Sequence, residues 1–301
     1  MTNHFISIDD LSAAEIQKLF HITDKLKDPN SEYHSRILKD SSYLKNKILA
    51  NLFYEPSTRT SSSFHAAMLK LGGRVISINE INYSSVSKGE NLEDTIRTIG
   101  CYSDIIVLRS QIAGDAKLAA EVSTVPIINA GDGIGEHPTQ TLLDLYTIWE
   151  KFGKIDGLTI TMMGDLKNGR TIHSLLHSLK HFNVKINLVS PDNLTAPFKY
   201  AKGINISLSL TLTKNICQQS DVLYMTRVQK ERGSVGNYEL TKDNVNNFKE
   251  NMIVMHPFPR QNEIPTWFDI DPRAKYFKQI ANGLLVRKSL LRSFLDNASE
   301  N

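Results

Sequence analysis

The chain is poor in the features that mark several protein classes. It has two cysteines in 301 residues, Cys101 and Cys217, too few for a disulfide framework or a thiolate metal site, and such usage suits a reducing compartment. No apolar run approaches the ~20 residues that a membrane-spanning helix needs. The first residues, MTNHFISIDD, lack the basic and apolar regions of a signal peptide. A cytoplasmic protein without a membrane partner is expected. Charge of one sign is scarce too: 35 Lys and Arg against 32 Asp and Glu leave +3, and no basic stripe runs along the chain, which sets nucleic acid aside as a partner. Repeats and low-complexity tracts are absent. So are a GxSxG nucleophile motif and a Cys placed beside a His. The segment GDLKNGR follows an apolar run but lacks the glycines of a GxGxxG dinucleotide loop. No resident cofactor or metal is expected.

What is present is an alternation. Short apolar runs at 48–53, 75–78, 104–108 and 127–130 read as strands, each followed by residues at helical spacing. A first helix precedes them, with Ser12 and Glu15 at capping-box spacing and Leu11 and Ile16 at staple spacing. The alternation restarts after a long helix from Pro138 to about Phe152, with strands at 158–163, 185–189, 206–210, 221–226 and 252–255. A last amphipathic helix is expected over 282–296. Strands alternating with helices require crossover connections and parallel sheets. At 301 residues two domains are favoured over one. The expected fold class is α/β, with two doubly wound parallel-sheet domains joined by a hinge helix and an active site in the cleft between them.

The residues able to do chemistry fall just after predicted strands, the edge where open parallel sheets bind ligands. Ser57-Thr58-Arg59-Thr60 stands where a strand hands over to a helix N-terminus, whose free N–H groups and dipole suit an anion. Arg109, Arg170 and Arg227 each follow an apolar run, as do His137 and His256-Pro257. Guanidinium forks bind planar oxygen anions bidentately, so four such arginines point to multiply charged ligands. His173, His177 and His181 recur every four residues and are read as a polar helix face rather than a metal site. Many cationic donors, one His and no paired nucleophile suit direct group transfer, in which one substrate's amine attacks another's carbonyl and the protein stabilises the oxyanion and departing phosphate.

The motifs EPSTRT, SxxxKGE, IVLR, NAGDG, EHPTQTLLDLYTI, MGDLKNGRT, MTRVQKER and HPFPR, in this order and over nearly the whole length, resemble those of the aspartate/ornithine carbamoyltransferase family. MTRVQKER together with GDLKNGRT resembles its aspartate-specific branch. The resemblance implies formation of N-carbamoyl-L-aspartate and phosphate from carbamoyl phosphate and L-aspartate, a step of pyrimidine synthesis. It implies that Ser57, Thr58, Arg59, Thr60 and Arg109 hold the phosphate, and that Thr60, Arg109 and His137 polarise the carbonyl. Gln140 and the backbone carbonyls of Pro257 and Phe258 would hold the carbamoyl amino group, and Arg170, Arg227 and Gln229 the aspartate carboxylates. Ser84 and Lys88 match residues that the family inserts into a neighbouring subunit's site, which implies a homotrimer. Glu55 would bridge to Arg170 and Arg232. Whether a regulatory chain joins the assembly is left open.

The division this implies is a carbamoyl phosphate-binding domain over 1–137 plus 288–301, a linking helix over 138–150 and an aspartate-binding domain over 151–287. Two arginines suit the two carboxylates of aspartate and would repel the cationic side chain of ornithine. His256-Pro257-Phe258-Pro259 also lacks the Cys of the HCLP segment found in ornithine enzymes. The sequence departs from the family pattern at Ser61 and His65, where Arg and Glu are usual, at Phe258, where Leu is common and the larger ring could crowd the pocket, and at Glu136, where Gln is frequent and a carboxylate could raise the pKa of His137.

Overall fold

The structure, a computed structural model, describes residues 4–31, 43–79, 89–227 and 238–297. The chain divides into two compact units. The first comprises Met1–Leu143 and Asn282–Asn301, the second Asp144–Ala281.

In the first unit, α1 (Ala13–Lys27) begins at Ser12, whose Oγ accepts from Glu15 N while the Glu15 carboxylate returns to the Ser12 N–H. This capping box satisfies two of the helix's orphan donors. Strand β1 (Ile48–Phe53) leads to α2 (Thr58–Lys70), β2 (Arg74–Asn79), α3 (Leu92–Gly100), β3 (Ile105–Ser110), α4 (Asp115–Val122), β4 (Ile127–Asp132) and α5 (Pro138–Phe152). The sheet is parallel with the order β2-β1-β3-β4. Strands β3 and β4 are buried at every position, which is why they open on the apolar residues Ile105–Leu108 and Ile127-Ile128. The order reverses between β1 and β3, since β1 is followed by β2 on one side while β3 lies on the other.

The second unit contains β5 (Thr159–Met163), α6 (Arg170–Leu179), β6 (Lys185–Val189), α7 (Phe198–Ala201), β7 (Asn205–Ser209), α8 (Lys214–Gln219), β8 (Val222–Met225), α9 (Lys242–Asn246) and β9 (Ile253–Met255). Its parallel sheet runs β7-β6-β5-β8-β9 and reverses between β5 and β8. Met163, Val189, Leu223, Met225, Val254, Phe268 and Tyr276 share one core cluster on this sheet. The last helix, α10, spans Tyr276–Asn297, six residues earlier than the sequence pattern indicates. The boundaries between the units fall inside α5 and α10. No helix among the described residues is long and apolar enough to cross a membrane.

Candidate active site

In the first unit the chemistry gathers where the strand order reverses, the crevice in which open α/β sheets bind ligands. Phe53 at the end of β1 pairs with Arg109 near the end of β3, and the Tyr54 N–H donates to the Arg109 carbonyl at 2.9 Å. Ser57 is the N-cap residue of α2 but makes no side-chain cap bond. The first-turn N–H groups over Thr58–Thr60 are thus not satisfied by the usual hydroxyl, as an anion site requires. Thr60 is buried, while Thr58 and Arg59 are exposed. The guanidinium of Arg109 is held in place: Nε donates to Glu55 Oε2 at 3.1 Å and Nη1 to the Ala130 carbonyl at 3.5 Å. That second bond reaches the neighbouring strand β4, which leads to His137.

The loop after β4 is built around Asp132. Its Oδ1 accepts from the Glu136 N–H at 2.9 Å and its Oδ2 from the Gly114 N–H at 3.0 Å. Gly133 has φ +52, and a Cβ there would stand 2.5 Å from the Gln111 carbonyl. Only glycine lets the two loops approach this closely. His137, buried, precedes Pro138 at the start of α5, and its carbonyl accepts from the Gln140 and Thr141 N–H groups at 3.0 and 3.2 Å. His137 Nδ1 lies 3.4 Å from Thr139 Oγ1. The Glu136 carboxylate accepts from Ser7 Oγ at 2.8 Å and the Ile8 N–H at 3.1 Å, joining the loop to the N-terminal segment.

Two of the departures from the family pattern have local explanations. Ser61, buried, bonds Asn51 on β1 at 3.0 Å and Asn79 on β2 at 3.2 Å, and His65 Nδ1 lies 3.2 Å from Ser77 Oγ. Both residues tie α2 to the sheet.

In the second unit the arginines again flank the reversal. Arg170 is the first residue of α6, after β5, and Gly169 at its N-cap offers no side chain. Arg227 lies two residues beyond β8, the strand beside β5. Gly164 fits the two exits together: it has φ +123, and a Cβ there would stand 2.2 Å from the Thr226 carbonyl. Asp165 shapes the rest of the turn by accepting from the Asn168 N–H at 3.0 Å. His173 is stacked on Tyr200, with ring centroids 4.1 Å apart, and its Nε2 lies 3.2 Å from the Leu166 carbonyl; burial pushes its pKa down. Among the described residues no cluster of His, Cys, Asp or Glu suits a metal ion.

Strand β9, next to β8, leads into His256-Pro257-Phe258-Pro259, where the Phe258-Pro259 bond is cis and Phe258 has φ 55. The Phe258 ring packs edge-on against His256 and Tyr276, with centroids 5.6 and 6.0 Å away. The larger side chain in the usual Leu position is thus taken up by an aromatic cluster. Ser84, Lys88, Gln229 and Arg232 lie outside the described residues.

Sequence reasoning missed Asp144, Tyr224, Glu263 and Gln279. Tyr224 OH donates to Asp144 Oδ2 at 2.7 Å, and Gln279 Nε2 to Asp144 Oδ1 at 2.6 Å. The one signal available was Asp144 itself, a carboxylate inside the apolar run LLDLY.

A family model described as aspartate/ornithine carbamoyltransferase, carbamoyl-P binding domain, matches residues 3–150, and one described as the Asp/Orn binding domain matches residues 156–294. The chain belongs to the aspartate/ornithine carbamoyltransferase family. Among its curated relatives, the aspartate carbamoyltransferase catalytic subunit of Methanococcus vannielii is 48% identical over 96% of this chain and 96% of that protein. The multifunctional protein pyr1-3 of Dictyostelium discoideum is 46% identical over 96% of this chain, which spans 13% of that longer protein. The solved catalytic subunit of M. jannaschii aspartate transcarbamoylase superposes with a TM-score of 0.90 at 44% identity, covering 100% of both chains. The Trypanosoma cruzi aspartate transcarbamoylase, solved in complex with carbamoyl aspartate and phosphate, gives 0.86 at 41% identity over 96% of this chain and 94% of that one.

Proposed function

We propose that the first unit binds carbamoyl phosphate and the second L-aspartate, for an enzyme that forms N-carbamoyl-L-aspartate and phosphate. The observation that carries this reading is the matched pair of reversal points. One holds an uncapped helix start with Arg109, suited to a phosphate, and the other holds Arg170 and Arg227, suited to two carboxylates.

In this reading Ser57, Thr58, Arg59, Thr60 and Arg109 bind the phosphate, and Thr60, Arg109 and His137 donate to the carbonyl oxygen. Gln140 and the carbonyls of Pro257 and Phe258 hold the carbamoyl amino group. The aspartate amine attacks the carbonyl carbon, a C–N bond forms and the C–O bond to phosphate breaks. The departing phosphate takes the amine proton, because His137 is engaged as a donor to the carbonyl oxygen. Positioning and oxyanion stabilisation supply the acceleration. Gln229 joins Arg170 and Arg227 on the aspartate carboxylates. Ser84 and Lys88 act in a neighbouring subunit's site, so the working assembly is a homotrimer.

The test offers carbamoyl phosphate to the purified chain with aspartate and ornithine in parallel, without added metal. Carbamoyl aspartate alone is the expected product. Product from ornithine would refute the role given to Arg170 and Arg227.

A further inference from the structure

Beyond β9 lies a buried chain of polar groups that the proposed reaction does not use directly. His256 is 1% exposed and Glu263 8%. The His256 N–H donates to Gln279 Oε1 at 3.0 Å, and Gln279 is in turn anchored on Asp144 at 2.6 Å. The two ring nitrogens of His256 have different tasks. Nδ1 accepts the Phe258 N–H at 2.9 Å, so it carries no proton. The ring proton therefore sits on Nε2, which lies 2.8 Å from Glu263 Oε1. Glu263 is fixed as well: its Oε1 accepts from the Gln261 N–H at 3.0 Å, and its backbone carbonyl from the Leu240 N–H at 2.8 Å.

The ring thus grips the backbone two residues ahead of itself, at Phe258, whose φ of 55 a bulky residue seldom adopts. We propose that His256, oriented by Glu263, is a positioning residue that aims the Pro257 and Phe258 carbonyls at the carbamoyl amino group. The inference rests on the function proposed above, which assigns those carbonyls to that group.

Two replacements separate the ring nitrogens. In His256→Asn the Oδ1 atom stands close to the place of Nδ1, keeping the acceptor for Phe258 and giving up Glu263. In His256→Gln the amide nitrogen stands close to the place of Nε2, keeping Glu263 and giving up Phe258. The wild type is assayed first for carbamoyl aspartate, then both variants for kcat, for the KM of each substrate and for thermal stability. His256→Gln is expected to lose roughly ten- to a hundredfold in kcat, as misaimed contacts do, with the KM for aspartate unchanged. His256→Asn is expected to keep most of its turnover although both variants lose stability. Equal kcat losses, or an effect confined to the KM for aspartate, would overturn the proposal. Independently of activity, ¹⁵N NMR of labelled histidine should show His256 protonated at Nε2 only, and the opposite tautomer would also overturn it. A wild type that makes no carbamoyl aspartate refutes the proposed function and the positioning role with it; the spectrum alone then judges the ring assignment.

Discussion

Arg109 donates from Nε to Glu55 Oε2 across 3.1 Å, with the arginine side chain nine-tenths buried. A guanidinium held this way reaches the end of β3 already oriented. Little side-chain freedom remains to be lost on binding an anion.

Replacing Arg109 by Ala is therefore expected to lower kcat by about 10²–10³-fold, the range seen when one oxyanion donor is removed. The apolar body of β3 is untouched, so circular dichroism should still show a folded protein. Near-normal turnover in a folded Arg109→Ala variant would remove Arg109 from the reaction.

Arg170 and Arg227 are assigned to the aspartate carboxylates. A hydrogen bond to a charged group contributes about 1.5–3 kcal/mol, so either residue changed to Ala should raise the KM for aspartate about 10- to 100-fold. Binding of carbamoyl phosphate alone, followed by calorimetry, should stay close to the wild-type value. A variant that instead loses carbamoyl phosphate would reverse the assignment of substrates to units.

Among the described glycines of the second unit, Gly164 makes the closest approach to another backbone. Alanine there would bring a Cβ against the Thr226 carbonyl at φ +123. The unfavourable backbone angle alone costs about 1–3 kcal/mol, which urea denaturation would detect. Because Thr226 precedes Arg227, the aspartate KM should rise in the same variant. Wild-type values for both would show that the turn accommodates a side chain.

Burial alone would raise the Glu263 pKa, but the hydrogen bond from His256 and those from backbone N–H groups outweigh it and hold the carboxyl below its ordinary 4.5. A carboxyl lowered by folding contributes stability that is complete above its unfolded pKa and lost as pH falls through the folded value. Acid unfolding of Glu263→Gln should therefore be less steep below pH 4.5 than that of the wild type. Parallel acid profiles would mean that Glu263 gains nothing from its partners.

The site residues at strand ends were legible because buried parallel strands read as apolar runs, and a charged residue after such a run is conspicuous. Arg109 after Ile105-Ile106-Val107-Leu108 is the plainest case. The start of α10 was not legible. Asn282-Gly283 looks like a break, yet the helix passes through it, and a Cβ on Gly283 would stand 3.1 Å from a Leu143 methyl. Packing in place of local propensity chose the glycine. Phe277 and Ile280 are exposed on the first turns, so no buried stripe announced them. The Asp144–Gln279 bond joins residues 135 positions apart, and no local pattern can reveal such a partner. The orientation of His256 was hidden for the same reason, because Glu263 becomes its neighbour only once the turn has folded.

The first unit is made of two separate stretches of chain, with the second inserted between them as one continuous segment. During synthesis from the N-terminus, every residue of the second unit has been joined before the last turns of α10 exist. The first unit, although begun earlier, must wait for that helix to be translated before it can close over its own core. The second unit is thus the one that can mature on the ribosome, and the first is finished last.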